Sequence, residues 1–431
     1  MTTLAPVPAS DPMTEGARQV TVVSRKAPIA FAAVTALVAL LLLVAPRDGS
    51  TRFRFSDEGD LLRLPDVAVP GMVTAWVGVA VAAAVVAAGA VLAARRRRVP
   101  VVLTLVLVLA LLVAFLAWAG AGSSRDFSVA RLIGGSILLA VPIVFGALGG
   151  VIGERVGVVN IAIEGQLLAG AFCAAVAASL SGSAVVGVVA AVLAGALVAL
   201  VLGVFTITYR VNQVIVGVVL NVLVVGLTSF LYSQVLVPGA ERLNETDRFA
   251  PVAIPGLSSI PIVGPALFEQ SVLVYVMYLA VPAVWFAMFR TRWGLRLRAV
   301  GEHPKAADTV GIKVERTRYR ALLVAGGIVG IGGAFYTVVS VSSFGKEMTA
   351  GAGFIALAAV IFGKWDPVRA ALAALLFGFA SNLEGALSVV GAPVPSQFML
   401  MLPYVVTILA VAGLVGRSRA PAASGEPYTK E

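Results

Sequence analysis

FRTRWGLRLRAVGEHPKAADTVGIKVERTRYR, residues 289–320, is the longest strongly charged interval in an otherwise apolar chain. It carries nine Lys/Arg against Glu302, Asp308 and Glu315, a net of +6 in a chain whose total is +10, leaving +4 for everything else. Apolar runs of membrane length flank it on both sides. A loop this basic between two such runs belongs on the cytoplasmic face. That placement orients every other segment.

Working outward, the composition excludes a soluble domain. Hydrophobic residues make up 59% of the chain, charged ones 13%, and the mean hydropathy is +0.99. Soluble domains carry about 25% charged residues. Apolar runs of roughly 20 residues, enough to cross a bilayer as helices, recur along the chain, which reads as an all-α polytopic membrane protein. The basic residues cluster between spans, so the high pI speaks for membrane lipid and against nucleic acid as a partner. Cys173 is the lone cysteine and His303 the lone histidine. No internal disulfide, cysteine metal cluster or Ser-His chemistry can be built from them. The Gly-x-Gly of Gly330–Gly332 follows no strand, so it does not make a dinucleotide site, and no G-x-x-x-x-G-K-[ST] phosphate loop occurs. No catalytic residue, metal site or cofactor is expected here.

In order, residues 1–27 read as a disordered cytoplasmic arm. Spans are expected at about 28–45, 72–94, 100–119, 132–152, 160–180, 184–208, 211–236, 271–289, 321–341, 349–363, 368–388 and 398–416. The tail 417–431, polar and Pro/Ala-rich, reads as disordered. Arg95 to Arg98, between the second and third spans, read as a topological anchor. Threading from an inside N-terminus gives about 12 crossings with both termini cytoplasmic, and places 23 of the 32 Lys/Arg inside. The short, Gly-flanked run 349–363 is a candidate broken or re-entrant segment, tolerated only where protein or a cavity surrounds it.

Polar groups inside spans are functional candidates because burying them in lipid is costly. GERVGVVNIAIEG, 153–165, places Asn160 and Glu164 four apart, on one face if helical, between glycines that permit a break. VNQVIVGVVLN supplies Asn212, Gln213 and Asn221, the first two at a membrane edge. The penultimate span carries Ser381, Asn382 and Glu384. These amides and hydroxyls, with one carboxylate in each of two spans, suit a neutral polar solute. The alternative is helix–helix hydrogen bonding. Within the central loop, Pro304 suits the first turn of a short helix and Gly311 its end. Ala306, Ala307 and Val310 form a small apolar stripe that could dock in a partner's groove. A solvated loop is the competing reading.

The strings GERVGVVNIAIEGQLLAGAF, VNQVIVGVVLN, GLRLRAVGEHPKAADTVGI, GFIALAAVIFGKW and PAASGEPY together resemble ATP-binding-cassette importer permeases of the nucleoside branch, related to the simple-sugar and branched-chain amino-acid permeases. The chain looks closest to the shorter of two companion permeases. The resemblance covers roughly 131–428. It implies a permease core at 131–416, with the loop 289–320 contacting a separate cytoplasmic ATPase through Gly301, Glu302, Pro304, Ala306, Ala307 and Gly311. ATP-Mg would be bound by that ATPase. It also implies a companion permease in a heterodimer, an extracytoplasmic binding lipoprotein and a bacterial inner-membrane location. Two departures stand out: the region 28–130 is additional to the core, and Ala352 stands where an arginine is expected. A ribose-like sugar importer and a proton-coupled secondary transporter using Glu164 or Glu384 are the alternatives.

Overall fold

The computed structural model describes residues 26–56, 63–97, 99–392, 397, 401 and 419–430. Its helices are α1 (Lys26–Val44), α2 (Gly71–Ala94), α3 (Val101–Ala119), α4 (Val129–Arg155), α5 (Ile163–Ser181), α6 (Ala184–Gly203) and α7 (Gln213–Leu231). They are followed by α8 (Ala240–Leu243), α9 (Val272–Arg290), α10 (Arg292–Glu302), α11 (Pro304–Thr309), α12 (Val314–Phe335), α13 (Ala352–Phe362) and α14 (Pro367–Val390). Helix closes every backbone hydrogen bond within the segment, as a lipid-facing chain requires. Single π-helical turns extend α6, α7 and α12 to Thr208, Leu236 and Ser340.

Among the described residues, nine helices are long and apolar enough to cross a membrane: α2 to α7, α9, α12 and α14. The apolar part of α1, Pro28–Val44, is shorter, and α13 has only 11 residues. At 1.5 Å per residue α13 reaches roughly 16 Å, about half of a ~30 Å hydrocarbon core. The expected run at 349–363 is therefore helical only in part. The arm 1–25 and the span expected at 398–416, Met401 excepted, lie outside the described residues.

The chain divides into two compact units. The first, Met1–Pro46 with Met72–Trp118, holds the bulk of α1, α2 and α3. In it the Trp118 indole donates to the Ala45 carbonyl at 2.7 Å, while Leu105 and Leu109 are exposed, as lipid-facing side chains would be. The second is Arg47–Gly71 with Ala119–Glu431. Strand β1 (Ser50–Arg54) pairs antiparallel with β2 (Val67–Pro70) and parallel with β3 (Phe127–Ser128), which leads into α4. Phe53 stacks on Phe127 with ring centres 5.9 Å apart.

Helix α4 is the axis of the second unit, with 83% of its most apolar window buried. Around it pack α12, α13 and α14, and α12 in turn packs on α5 and α6. A Cβ on Gly326 would lie 2.4 Å from the Gly195 carbonyl oxygen, so α6 and α12 meet backbone to backbone. Small residues permit that approach without the hydrophobic drive available in water.

Candidate functional site

Helix α4 stops at Arg155, Gly157 turns with φ +89°, and helix resumes only at Ile163. A Cβ on Gly146 would lie 3.2 Å from Ile163 Cγ2, so Ile163 stands level with the interior of α4, not with its end. Residues 156–162 are thus an unwound stretch running into the protein. Unwound backbone at depth needs partners, and side-chain amides provide them. Gln213 Oε1 accepts the Val159 N–H at 2.6 Å, and its Nε2 reaches the Gly157 carbonyl at 3.5 Å. Asn221 donates to the Ile161 carbonyl at 2.9 Å and accepts the Gly165 N–H at 2.8 Å. Asn160 donates to Gln166 Oε1 at 3.0 Å. Of the predicted amides, Asn160, Gln213 and Asn221 are buried. The expectation that Asn160 and Glu164 share a helix face is corrected: Asn160 precedes α5 and pairs with Gln166, a residue the sequence reading passed over.

Glu164 lies in the first turn of α5 and reaches across to the start of α13. Its Oε1 accepts the Thr349 hydroxyl at 2.6 Å and the Gly351 N–H at 2.9 Å, and its Oε2 accepts the Gly353 N–H at 2.6 Å. A Cβ on Gly353 would lie 2.4 Å from the Glu164 nitrogen, so glycine is what lets the two helix starts touch. The carboxylate sits where two helix N-termini converge. Their unpaired N–H groups and dipoles both favour negative charge.

The other end of α13 is held by the residues just before the interruption. The Trp365 indole donates to Glu154 Oε2 at 2.5 Å, and Arg155 Nε donates to the Trp365 carbonyl at 2.9 Å. One segment, 154–164, therefore grips the half-length helix α13 at both ends. Trp365 and Thr349 were missed because nothing local marks them: they sit about two hundred residues from their partners in the chain.

The remaining predicted residues fall elsewhere. Asn212 is an exposed N-cap of α7, accepting the Val214 N–H at 2.9 Å and the Ile215 N–H at 3.3 Å. Asn382 ties α14 to α4 through the Leu132 carbonyl at 2.7 Å and Ser136 Oγ at 3.3 Å. It borders a cavity of about 490 Å³ that also meets Arg54, Arg125, Asp126 and Arg131. Ser381 and Glu384 are half-buried on the same helix. The structure brings Asn160, Glu164, Gln213 and Asn221 together, and leaves Asn212, Ser381, Asn382 and Glu384 outside that cluster.

The basic loop folds as α10 and α11. Thr291 caps α10 by accepting the Gly294 N–H at 3.2 Å, and Leu297, Val300 and Gly301 face inward. A Cβ on Gly301 would lie 2.1 Å from the Arg155 carbonyl oxygen, so α10 rests directly on the start of the interruption. The Phe289 ring lies between the guanidinium groups of Arg155 and Arg298, at 5.9 and 5.1 Å. Pro304 opens α11 and Gly311 follows it with φ +85°, as expected.

Two expectations for this region are corrected. Ala307 is 3% exposed and packs into the core, so only Ala306 and Val310 of the apolar stripe face outward. The spacing placed all three on one side, but Ala306 and Ala307 are adjacent, about 100° apart around a helix, and Val310 lies just past the end of α11. Arg318, one of the nine basic residues of the loop, is 1% exposed and donates to the Glu426 carbonyl at 3.2 Å. The tail is not disordered over 419–430. Ala423 donates its N–H to the Gly301 carbonyl at 2.9 Å, and Tyr428 is buried.

Comparison with known proteins agrees with this architecture. The family model described as branched-chain amino acid transport system / permease component matches residues 132–411. The guanosine ABC transporter permease protein NupQ of Bacillus subtilis is 39% identical, covering 69% of this chain and 96% of the relative. The nucleoside ABC transporter permease protein NupC of Lactococcus lactis is 38% identical over the same shares of each. A putative glucose ABC transporter permease protein, TsgC13 of Haloferax volcanii, is 32% identical over 70% of this chain and 98% of its own. No solved structure matches. A family match that begins at the first turn of α4 and takes in the unwound stretch 156–162, the half-length helix α13 and the basic loop leaves one conclusion: the chain belongs to the ABC transporter permease family.

Proposed function

We propose that this chain is the membrane subunit of an ATP-driven importer of nucleosides. The observation that carries the reading is the 39% identity to a guanosine permease along nearly that relative's whole length. The buried groups are consistent with it. Asn160, Gln213 and Asn221 hold an unwound backbone open at depth, beside a carboxylate already engaged at two helix starts. Such breaks at membrane depth are found where protein buries them or where they line a cavity. The solute would pass along the outward surface of residues 156–162 and the start of α13. Asn212, Ser381, Asn382 and Glu384 would be met nearer the two membrane faces.

The partners follow from the same reading. A cytoplasmic ATPase binds ATP-Mg and docks on Glu302, Pro304, Ala306 and Val310, which are wholly or partly exposed on the loop. A companion permease covers the apolar face of α7, where Ile215, Val219 and Leu223 are exposed. An extracytoplasmic lipoprotein delivers solute, and the complex resides in the bacterial inner membrane with its termini inside. ATP-driven closure of the ATPase would switch the permease between two discrete packings.

Uptake of labelled uridine by cells making the whole complex, competed by adenosine or by ribose, tests the solute class. Competition by adenosine and not by ribose is expected; competition by ribose alone overturns the nucleoside assignment. A sugar importer is the second reading, favoured by the 32% identity to a putative glucose permease. A proton-coupled carrier fits less well, because Glu164 already accepts from three donors, and such bonds are stronger to a carboxylate than to a neutral carboxyl group.

A further inference from the structure

The segment Pro421–Lys430 is tied to the loop at several separate points. Ala423 N–H meets the Gly301 carbonyl at 2.9 Å, and Ala422 N–H meets Glu302 Oε2 at 3.2 Å. Arg318 donates to the Glu426 carbonyl at 3.2 Å, and Lys430 lies 3.8 Å from Asp308 of α11. Pro421, Ala423 and Tyr428 point inward, and Gly425 turns the chain with φ +84°. Between this segment and the start of α11 lies a groove of about 440 Å³.

The segment also touches the interruption. A Cβ on Gly157 would lie 3.1 Å from the Ala423 carbonyl oxygen and 3.0 Å from Arg318 Nη2, and one on Gly425 would lie 3.8 Å from Val159. It thus contacts α10, α11, α12 and residues 157–159 at once. A loop joined to the membrane helices only through the ends of α9 and α12 could swing without moving the interruption. With the segment in place, α10 and α11 are fastened to the turn that Gln213 braces.

We infer that Pro421–Tyr428 is a clasp, a positioning element that makes α10, α11 and residues 155–159 move as one piece, so that displacement of α11 is delivered to the interrupted segment. The inference rests on the proposal that α11 is the ATPase contact. It requires the clasp to stay closed through the transport cycle.

The test uses the full complex in membranes. In a Cys173→Ser background, Asp308→Cys with Lys430→Cys, at the 3.8 Å contact between segment and α11, should be joined by a short bis-maleimide in most chains, and uptake should stay within twofold of the unlinked protein. Absence of the cross-link, or loss of uptake on forming it, overturns the clasp whatever the role of α11. Termination after Arg419 should lower uptake at least tenfold while the ATPase subunit is still retained on purification. Unchanged uptake overturns the inference, and so does loss of the ATPase, which would make the segment a motor contact in its own right. Should the truncated chain fail to insert, Ala423→Pro, which removes a single donor, carries the same expectations. If the ATPase never associates with the unaltered chain, the motor assignment of α11 fails, and the cross-link still reports the clasp independently.

Discussion

Oε2 of Glu164 lies 2.6 Å from the backbone nitrogen of Gly353, so a side chain in the first turn of α5 closes the N-terminus of α13. The contact joins residues 189 apart in sequence. It makes the starts of α5 and α13 a single structural unit.

Glu164→Gln should test the charge in that contact. The amide keeps one acceptor but turns an N–H₂ toward backbone donors. Hydrogen bonds to a charged group are worth about 1.5–3 kcal/mol, so a loss of about 2 kcal/mol is expected. A thermal melt in detergent should show it, with uptake falling in parallel. A variant as stable as the parent would show that the cap contributes no stability.

Asn221→Leu removes both bonds that bridge the interruption and leaves Gly165 N–H and Ile161 C=O without partners. Each buried unsatisfied group costs about 1–3 kcal/mol, which predicts a larger loss than at Glu164. Asn212→Ala, at an exposed cap, should cost only ~1 kcal/mol. Unfolding midpoints of the two variants side by side check the ranking; equal losses would contradict the burial difference.

Two neighbouring substitutions separate packing from docking on α11. Ala307→Glu puts a charge into the core and should reduce the amount of folded protein recovered. Val310→Glu alters a residue that is 75% exposed. It should leave folding intact while releasing the ATPase subunit on purification. Retention of the ATPase by Val310→Glu at parental levels would remove this face from the motor contact.

Gly301→Ala adds a Cβ that would lie 2.1 Å from the Arg155 carbonyl oxygen. Backbone cannot yield as a flexible side chain can, so α10 must lift from the turn. Uptake should drop at least tenfold with the ATPase still bound. Accessibility of a reporter cysteine at Val159 should rise. Unchanged labelling would mean that the helix tolerates the methyl in place.

Much of this was legible in the chain itself. The basic loop, its Pro304 start and Gly311 end, and the break allowed by the glycines around Asn160 all depend on local chemistry, and the structure has them. Other features depend on which distant segments meet. Glu164 could be recognised as a costly carboxylate, but its donors at Thr349, Gly351 and Gly353 lie in a segment whose glycines signal only a break. Ala307 and Val310 fall at helical spacing, yet which one faces the core is set by how α11 packs, not by their spacing. Pro421–Tyr428 has the composition of a loose tail, and its order comes from backbone N–H groups and carbonyls that leave no mark in side-chain composition.

The three-stranded sheet bears on how the additional N-terminal region can be removed or transplanted. Its β1 and β2 lie between α1 and α2 in sequence, yet β1 pairs with Phe127–Ser128 at the entrance to α4 as well as with β2. A chimera cut cleanly at residue 120 would strip β3 of its neighbour and expose its backbone groups. Residues 47–71 belong to the same compact unit as α4, so a viable minimal chain must keep them or supply a substitute strand.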